Sequence, residues 1–187
     1  DWPSLKKNIS NQFEARLIQI KVNDSKSIFF QNMDDSQLIV PVAHGEGRME
    51  FSDNSKIKKL ISNRQVPLQY VNSKGETTEK YPLNPNGSAE GISSVCSKDG
   101  KVTILMPHPE RAFLNKQLSW TDSDVSKPSP WLEMFLNARN FVNYLPSNYI
   151  FSVKINFFSL QTFIVMINSF WNEWKSQFFP RNFIIRK

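Results

Sequence analysis

The sequence predicts an α/β domain, and three observations support this fold class. The chain has 187 residues, of which 40% are hydrophobic and 13% aromatic, enough for one packed domain or one domain with an appendage. Short apolar runs that suit buried strands alternate with turn residues. Two further segments, at residues 53–63 and 131–142, show the spacing of amphipathic helices.

The first predicted strands lead to a motif rich in glycine. Residues 13–22 alternate apolar and polar side chains, with a change of phase at Leu17 and Ile18 that predicts a β-bulge. Residues 38–43 form a short apolar run and therefore a candidate buried strand. This run ends at residues 44–47 (HGEG).

Residues 53–55 (DNS) are predicted to cap the first helix, which continues to about residue 63. The spacing places Ile57, Leu60 and Ile61 on one face. This face is expected to pack against the core.

The second half of the body contains further strands and the second helix. Residues 66–72 are typical of a strand. Residues 92–96 and 102–106 flank a turn at residues 98–100 and predict a β-hairpin. Residues 131–142 follow a Ser-Pro pair that suits a helix start.

The charge distribution argues against a nucleic-acid partner. The chain has 23 Lys and Arg against 17 Asp and Glu, a net charge of +6 with neutral histidines. Residues 146–187 contain five basic residues and one acidic residue, so most of the excess lies in the last quarter. The body shows no basic face with interleaved aromatic side chains and no nucleic-acid-binding motif.

The cysteine and histidine counts restrict the chemistry. A single Cys excludes a disulfide framework and a multi-thiolate zinc site, and two His leave little room for a metal centre. These counts predict a reducing compartment, by default the cytoplasm. The chain begins Asp1-Trp2-Pro3 without the features of a signal peptide, and we expect it to be part of a longer polypeptide.

The most informative segment is residues 102–111 (VTILMPHPER), a predicted buried strand that ends in a rigid polar tip. Residues two apart on extended backbone point to the same side, so His108 and Glu110 can face one place. Pro109 keeps His108 out of the α region. A carboxylate beside an imidazole supplies the base and orienter of a nucleophilic triad. The alternative is a surface histidine that lies near a glutamate without a catalytic role. Because short motifs often occur by chance, the His-x-Glu motif alone favours this alternative.

No nucleophile accompanies this pair in the sequence. A catalytic cysteine of this class is expected on a sharp, glycine-flanked turn from strand to helix. Cys96 instead lies on a strand that enters a hairpin, and we interpret it as a small hydrophobic residue. No serine lies in a G-x-S-x-G sequence.

Five segments, in this order along the chain, resemble one protein family. They are residues 8–16 (NISNQFEAR), 42–48 (VAHGEGR), 81–88 (YPLNPNGS), 106–111 (MPHPER) and 129–131 (SPW). The family is the C-terminal glutaminase domain of the large, single-chain phosphoribosylformylglycinamidine synthase, also called formylglycinamide ribonucleotide amidotransferase. The resemblance covers roughly residues 1 to 144.

The resemblance implies a class I, triad-type glutamine amidotransferase domain with a flavodoxin-like α/β fold. In such domains a Cys attacks the glutamine side-chain amide, a His moves the proton and a Glu orients the His. His108 and Glu110 match the family's His and Glu. The ammonia passes to a synthetase domain of the same polypeptide, which uses ATP and Mg²⁺ to convert formylglycinamide ribonucleotide to the amidine in purine biosynthesis. The resemblance implies no cofactor and no metal in residues 1–145.

The sequence departs from the family pattern at both ends. The family's nucleophile turn lies upstream of the segment that begins at Trp2, so residues 1–145 are expected to be the C-terminal part of an incomplete domain, inactive alone. Residues 146–187 have no family counterpart and lack Gly and Ala, although they contain 8 of the 15 Phe. We expect this tail to be non-native sequence or disordered. A membrane anchor and an amphipathic partner-binding segment are minority alternatives.

Three further features have two interpretations each. His44 and Gly45 can line the glutamine pocket, because a glycine lets backbone approach a ligand closely, or can form a simple tight turn. Residues 84–87 (NPNG) suit a turn that packs near the active site or the synthetase domain. Arg111 can pair with Glu110 or remain solvated. For the whole chain, the alternative function is a non-catalytic pseudo-glutaminase binding module.

Overall fold

The computed structural model describes residues 2–143, 153–156 and 163–167. The described strands are β1 (Ser4–Lys7), β2 (Glu14–Val22), β3 (Gln37–His44), β4 (Glu46–Glu50), β5 (Leu68–Tyr70), β6 (Ser94–Cys96), β7 (Thr103–Leu105), β8 (Val153–Asn156) and β9 (Phe163–Ile167). The two helices are α1 (Asn54–Ser62) and α2 (Leu132–Asn143).

The described strands form three sheets, with the orders β1-β4, β3-β2-β5 and β6-β7-β9-β8. Every strand pair within these residues is antiparallel. Helices and strands are interspersed along the chain, as the sequence predicts. Short 3₁₀ helices connect several of the strands.

The β2–β3 pair has a continuous register, from Glu14 opposite His44 to Lys21 opposite Gln37. The bulge predicted at Leu17 and Ile18 is therefore wrong. The inward face of β2 consists of the even-numbered residues, Glu14, Arg16, Ile18, Ile20 and Val22. The change of phase in the sequence arises because charged residues occupy the first two inward positions.

The first helix begins as predicted, since the Asp53 side chain accepts a hydrogen bond from the Ser55 backbone N–H at 2.5 Å. Ile57 and Leu60 are buried in a cluster with Met49, whereas Ile61 is exposed and does not share this face.

The second helix covers the inner side of the β3-β2-β5 sheet. Trp131, Met134 and Ala138 belong to the core cluster that contains the inward apolar residues of β2. The Trp131 indole Nε1 donates to the Ile39 carbonyl at 2.8 Å, and Asn137 Nδ2 donates to the Phe29 carbonyl at 3.1 Å. These bonds fix α2 against β3 and the 3₁₀ helix Ile28–Phe30.

The predicted hairpin is confirmed. Strands β6 and β7 pair with Ser94 opposite Leu105 and Cys96 opposite Thr103. Gly100 lies in the turn with φ +73°, and a Cβ there would meet the Lys26 carbonyl oxygen at 1.8 Å. The turn therefore requires glycine at this position.

Two segments of the tail are described. Strand β9 pairs with β7, and β8 pairs with β9. The other residues of 146–187 lie outside the described part of the chain, so the non-native or disordered tail stays a prediction. Among the helices that the structure describes, none is long and apolar enough to cross a membrane.

Candidate active site

His108 is held by the segment that leaves β7. Its backbone N–H donates to the Pro41 carbonyl of β3 at 2.9 Å, and its side chain is buried. The backbone after it forms the 3₁₀ helix Pro109–Arg111 rather than the extended tip that the sequence predicts. Because Pro109 has a fixed φ and lacks an N–H, it suits the first position of this turn.

The predicted contact between His108 and Glu110 is present. His108 Nδ1 and Glu110 Oε1 are 2.7 Å apart, and both side chains are largely buried. Arg111 Nε lies 3.6 Å from the same oxygen, which supports the ion-pair interpretation of Arg111. His108 Nε2 and Glu110 Oε2 are buried and have no hydrogen-bond partner among the described residues.

This arrangement determines which ring nitrogen is able to take a proton. The carboxylate accepts from Nδ1–H, so Nε2 holds the lone pair. A protonated ring would be stabilised by the adjacent carboxylate. The pair can therefore act as a general base and its orienter towards a group near Nε2.

The structure brings His44 into the same neighbourhood. His44 is fully buried at the end of β3, directly opposite Glu14 on β2. Burial lowers its pKa to about 4, and the nearby His108 adds to this effect, while Glu14 opposes it. His44 Nδ1 lies 3.3 Å from Asn8 Oδ1, whereas Nε2 has no partner within the described part of the chain.

The backbone around His44 is fixed by a buried asparagine. Asn8 Nδ2 donates to the His44 carbonyl at 2.8 Å, and the Asn8 backbone N–H donates to the Gly45 carbonyl at 3.0 Å. No sequence pattern around Asn8 predicts these two bonds. Both carbonyls at this strand end are thus occupied, which favours a tight turn for the backbone and leaves the imidazole Nε2 available.

The close approach in this motif occurs at Gly47 rather than at Gly45. Gly47 has φ +99°, and a Cβ there would lie 2.0 Å from Met106 Cε. Gly45 is not among the described glycines with positive φ. Since Met106 precedes His108 by two residues, Gly47 allows β4 to pack directly against the segment that bears His108.

The loop at residues 84–88 packs beside this contact. Asn84, Asn86 and Ser88 are buried, and Asn84 Oδ1 accepts from the Gly87 backbone N–H at 2.9 Å. Asn86 Nδ2 donates to the Gly47 carbonyl at 3.2 Å. The predicted turn is confirmed, and the loop lies next to residues 44–47.

Sequence reasoning also missed Glu14 and Arg16 as part of this site. Glu14 accepts hydrogen bonds from Ser10 Oγ at 2.7 Å and from Arg16 Nη2. Arg16 Nη2 also donates to the Tyr81 hydroxyl at 2.9 Å. The sequence signal for this pair is the change of phase in residues 13–22, which results from Glu14 and Arg16 on the inward face and not from a bulge.

Cys96 is not part of this arrangement. Its cross-strand neighbour is Thr103, at the opposite end of β7 from His108, and five extended residues span about 16 Å. Burial raises the pKa of the Cys96 thiol to about 11, the opposite of what a nucleophile needs. The thiol lines a cavity of about 420 Å³ together with Trp2, Leu60 and Lys98.

Comparison with known proteins identifies the family to which this chain belongs. The fold is similar to the solved structure of PurLQS from Thermotoga maritima, with 25% sequence identity and a TM-score of 0.52. The match covers 75% of this chain and 53% of that chain, so this chain spans about half the length of the structure it matches. Residues 1–142 match the CobB/CobQ-like glutamine amidotransferase domain, which confirms the α/β amidotransferase fold class. Since this match includes most of the 187 residues, the chain belongs to the CobB/CobQ-like glutamine amidotransferase domain family.

Proposed function

We propose that this chain is part of the glutaminase domain of phosphoribosylformylglycinamidine synthase. In this proposal His108 is the general base and Glu110 the orienting residue of its Cys-His-Glu triad. The observation that supports this most directly is the 2.7 Å contact between His108 Nδ1 and Glu110 Oε1, with a buried, unpartnered Nε2 among the described residues. The amidotransferase family membership gives the substrate class, glutamine.

The reaction begins with proton transfer. His108 Nε2 takes the thiol proton of the nucleophilic cysteine, and the thiolate attacks the side-chain amide carbon of glutamine. The imidazolium then gives its proton to the departing nitrogen, which leaves as ammonia while a glutamyl thioester forms. Water, activated by the same imidazole, hydrolyses the thioester to glutamate. Glu110 stabilises the imidazolium in each half of the reaction.

The nucleophile in this proposal is a cysteine outside the 187 residues, because Cys96 is distant from His108 and its pKa is raised. The ammonia is used by a synthetase domain of the same polypeptide, with ATP and Mg²⁺. Two observations support this particular enzyme: the five family segments in order, and the similarity to PurLQS.

His44 and Gly45 are proposed to line the glutamine pocket. His44 is neutral at physiological pH because its pKa is lowered to about 4. Since Asn8 Oδ1 accepts from Nδ1–H, the His44 Nε2 is a hydrogen-bond acceptor. Its position beside His108 suits contact with an N–H group of the bound amino acid.

The experiment is His108→Ala in the complete enzyme. Glutamine-dependent synthesis should fall at least about 1,000-fold, whereas ammonia-dependent synthesis should be largely retained because the synthetase site is elsewhere. Retention of glutamine-dependent synthesis would overturn the catalytic role and support the non-catalytic binding module instead.

A second measurement tests the assignment of the thiol. The purified 187-residue chain should release no ammonia from glutamine above background. Release that is lost on Cys96→Ser would show that Cys96 is the nucleophile, and both the inactivity and our interpretation of Cys96 would then be wrong.

A further inference from the structure

The inward face of β2 contains an arginine where the fold predicts an apolar side chain. Arg16 lies on the same face as Ile18, Ile20 and Val22, which belong to the core. The side chain is 29% exposed, so the guanidinium keeps part of its hydration, but its Nε is buried and therefore needs a partner. This placement needs an explanation beyond ordinary surface charge.

Two neighbours hold the Arg16 guanidinium in one orientation. Nη2 donates to Glu14 Oε2 and to the Tyr81 hydroxyl, and the guanidinium carbon lies 4.9 Å from the centre of the Tyr81 ring. These contacts, led by the Tyr81 hydrogen bond, raise the pKa of Arg16. The group is thus permanently charged and preorganised.

One N–H donor of this guanidinium is unpaired among the described residues. Arg16 Nε is buried and has no hydrogen-bond partner among them. An unpaired buried donor costs stability, and a guanidinium presents its N–H groups in a geometry that matches a carboxylate. The chemistry of the unfilled donor therefore indicates a carboxylate ligand.

The distance from Arg16 to the proposed catalytic histidine suits a small amino acid. Arg16 is directly opposite Val42 on β3, and His108 bonds the neighbouring residue, Pro41. Since β3 lies between the two backbones, they are about 10 Å apart, or two strand spacings. Arg16 also shares its face with Glu14 and hence with the cross-strand partner His44.

We propose that Arg16 is a substrate-anchoring residue that binds the α-carboxylate of glutamine. Glu14 and Tyr81 hold the guanidinium, and its remaining donors contact the carboxylate while the side-chain amide reaches His108. This inference rests on the proposed glutaminase function. Arg16, two positions from Glu14 on β2, would then recognise the carboxylate end of the substrate.

The test compares L-glutamine with L-glutaminamide, in which a neutral amide replaces the α-carboxylate. It uses the complete enzyme, and the readout is the ratio of kcat/KM for the two substrates. The wild type should prefer L-glutamine, and Arg16→Gln should reduce this preference roughly 10- to 100-fold, mainly by raising KM for L-glutamine. Arg16→Lys, which keeps the charge, should retain part of the preference.

The ratio is measured within one preparation, so a variant that is partly unfolded still gives a valid result. Lys21→Gln is the matched control, because it removes a positive charge from the other face of β2, where Lys21 pairs with Asp35, and its preference should stay close to that of the wild type. Equal losses for both substrates in Arg16→Gln, or a wild type without preference, would overturn the assignment. Ammonia-dependent synthesis should not change in any variant, and the His108→Ala experiment tests the glutaminase function separately.

Discussion

At the scale of single residues, the geometry around His108 decides which proton transfers are possible. Glu110 accepts from Nδ1, and this contact leaves Nε2 as the basic atom. The carboxylate also supplies charge that stabilises the protonated ring. These two contributions, orientation and charge, can be separated by substitution at position 110.

The substitution Glu110→Gln should lower glutamine-dependent synthesis roughly 100-fold, less than His108→Ala, because an amide oxygen can still accept from Nδ1 but supplies no charge. Ammonia-dependent synthesis is the internal control. Glu133→Gln, at the start of α2, is the matched control variant and should have no effect. A loss that is equal for ammonia and glutamine would contradict the role of Glu110.

His44 predicts a pH dependence of stability. Its folded pKa is about 4, below the unfolded value of 6.5, so the unfolded state binds its proton first as the pH falls. The contribution of His44 is fully present above about pH 6.5 and is lost between pH 6.5 and 4, by up to about 3 kcal/mol. Urea unfolding at pH 7.5, 6 and 5 should show a steeper decline for the wild type than for His44→Gln. Parallel curves would show that folding does not lower the pKa of His44.

At the scale of elements, sequence patterns predicted the features that depend on neighbouring residues only. The cap at Asp53, the α2 helix and the β6–β7 turn were all predicted, because capping, periodicity and turn chemistry act over a few residues. The polar inward face of β2 was misinterpreted as a bulge. A pattern of alternation identifies the core only where the inner face is apolar, and Glu14 and Arg16 on this face reverse the pattern.

A substitution at Gly47 tests how β4 packs against Met106. Gly47→Ala should destabilise the fold by about 1–3 kcal/mol, because φ +99° is strained for alanine and its Cβ would clash with Met106. It should also raise KM for glutamine, since β4 supports the segment that bears His108. The measurements are urea unfolding and glutamine-dependent kinetics.

Gly45→Ala is the matched control for the stability measurement, because Gly45 does not have a positive φ. Its free energy of unfolding should be closer to that of the wild type. Equal destabilisation by the two substitutions would show that the conformation of Gly47 is not the cause.

At the scale of the whole molecule, the site assembles from segments that are distant in sequence. Asn8 contacts His44 at the end of β3, and the His108 backbone bonds to Pro41 of the same strand. Spacing predicted that His108 and Glu110 are close, although the contact forms through the 3₁₀ helix Pro109–Arg111 and not through the extended backbone that the sequence suggests. It could not predict the partners of His44, since pairing between distant strands depends on the complete topology.

The family match ends at residue 142, and this boundary leads to a prediction about the tail. The complete enzyme truncated after Leu145 should keep its melting temperature within about 2 °C and become more soluble, because eleven aromatic side chains are removed. Thermal melting and sedimentation of aggregates measure the two effects. A clear fall in melting temperature would show that the β7–β9 pairing stabilises the fold.

Flotation with liposomes tests the remaining alternative for the tail. We expect neither the full-length nor the truncated enzyme to float. Flotation of the full-length form alone would support a membrane anchor within residues 146–187.

The buried position of Cys96 has a practical consequence for covalent labelling. With a pKa of about 11, only about one Cys96 side chain in a thousand is a thiolate at pH 8. Alkylating reagents and electrophilic glutamine analogues should therefore leave this cysteine unmodified in the native enzyme. Peptide mass spectrometry after brief treatment with iodoacetamide can then identify the proposed nucleophile without first replacing Cys96, which serves as an internal unreactive reference.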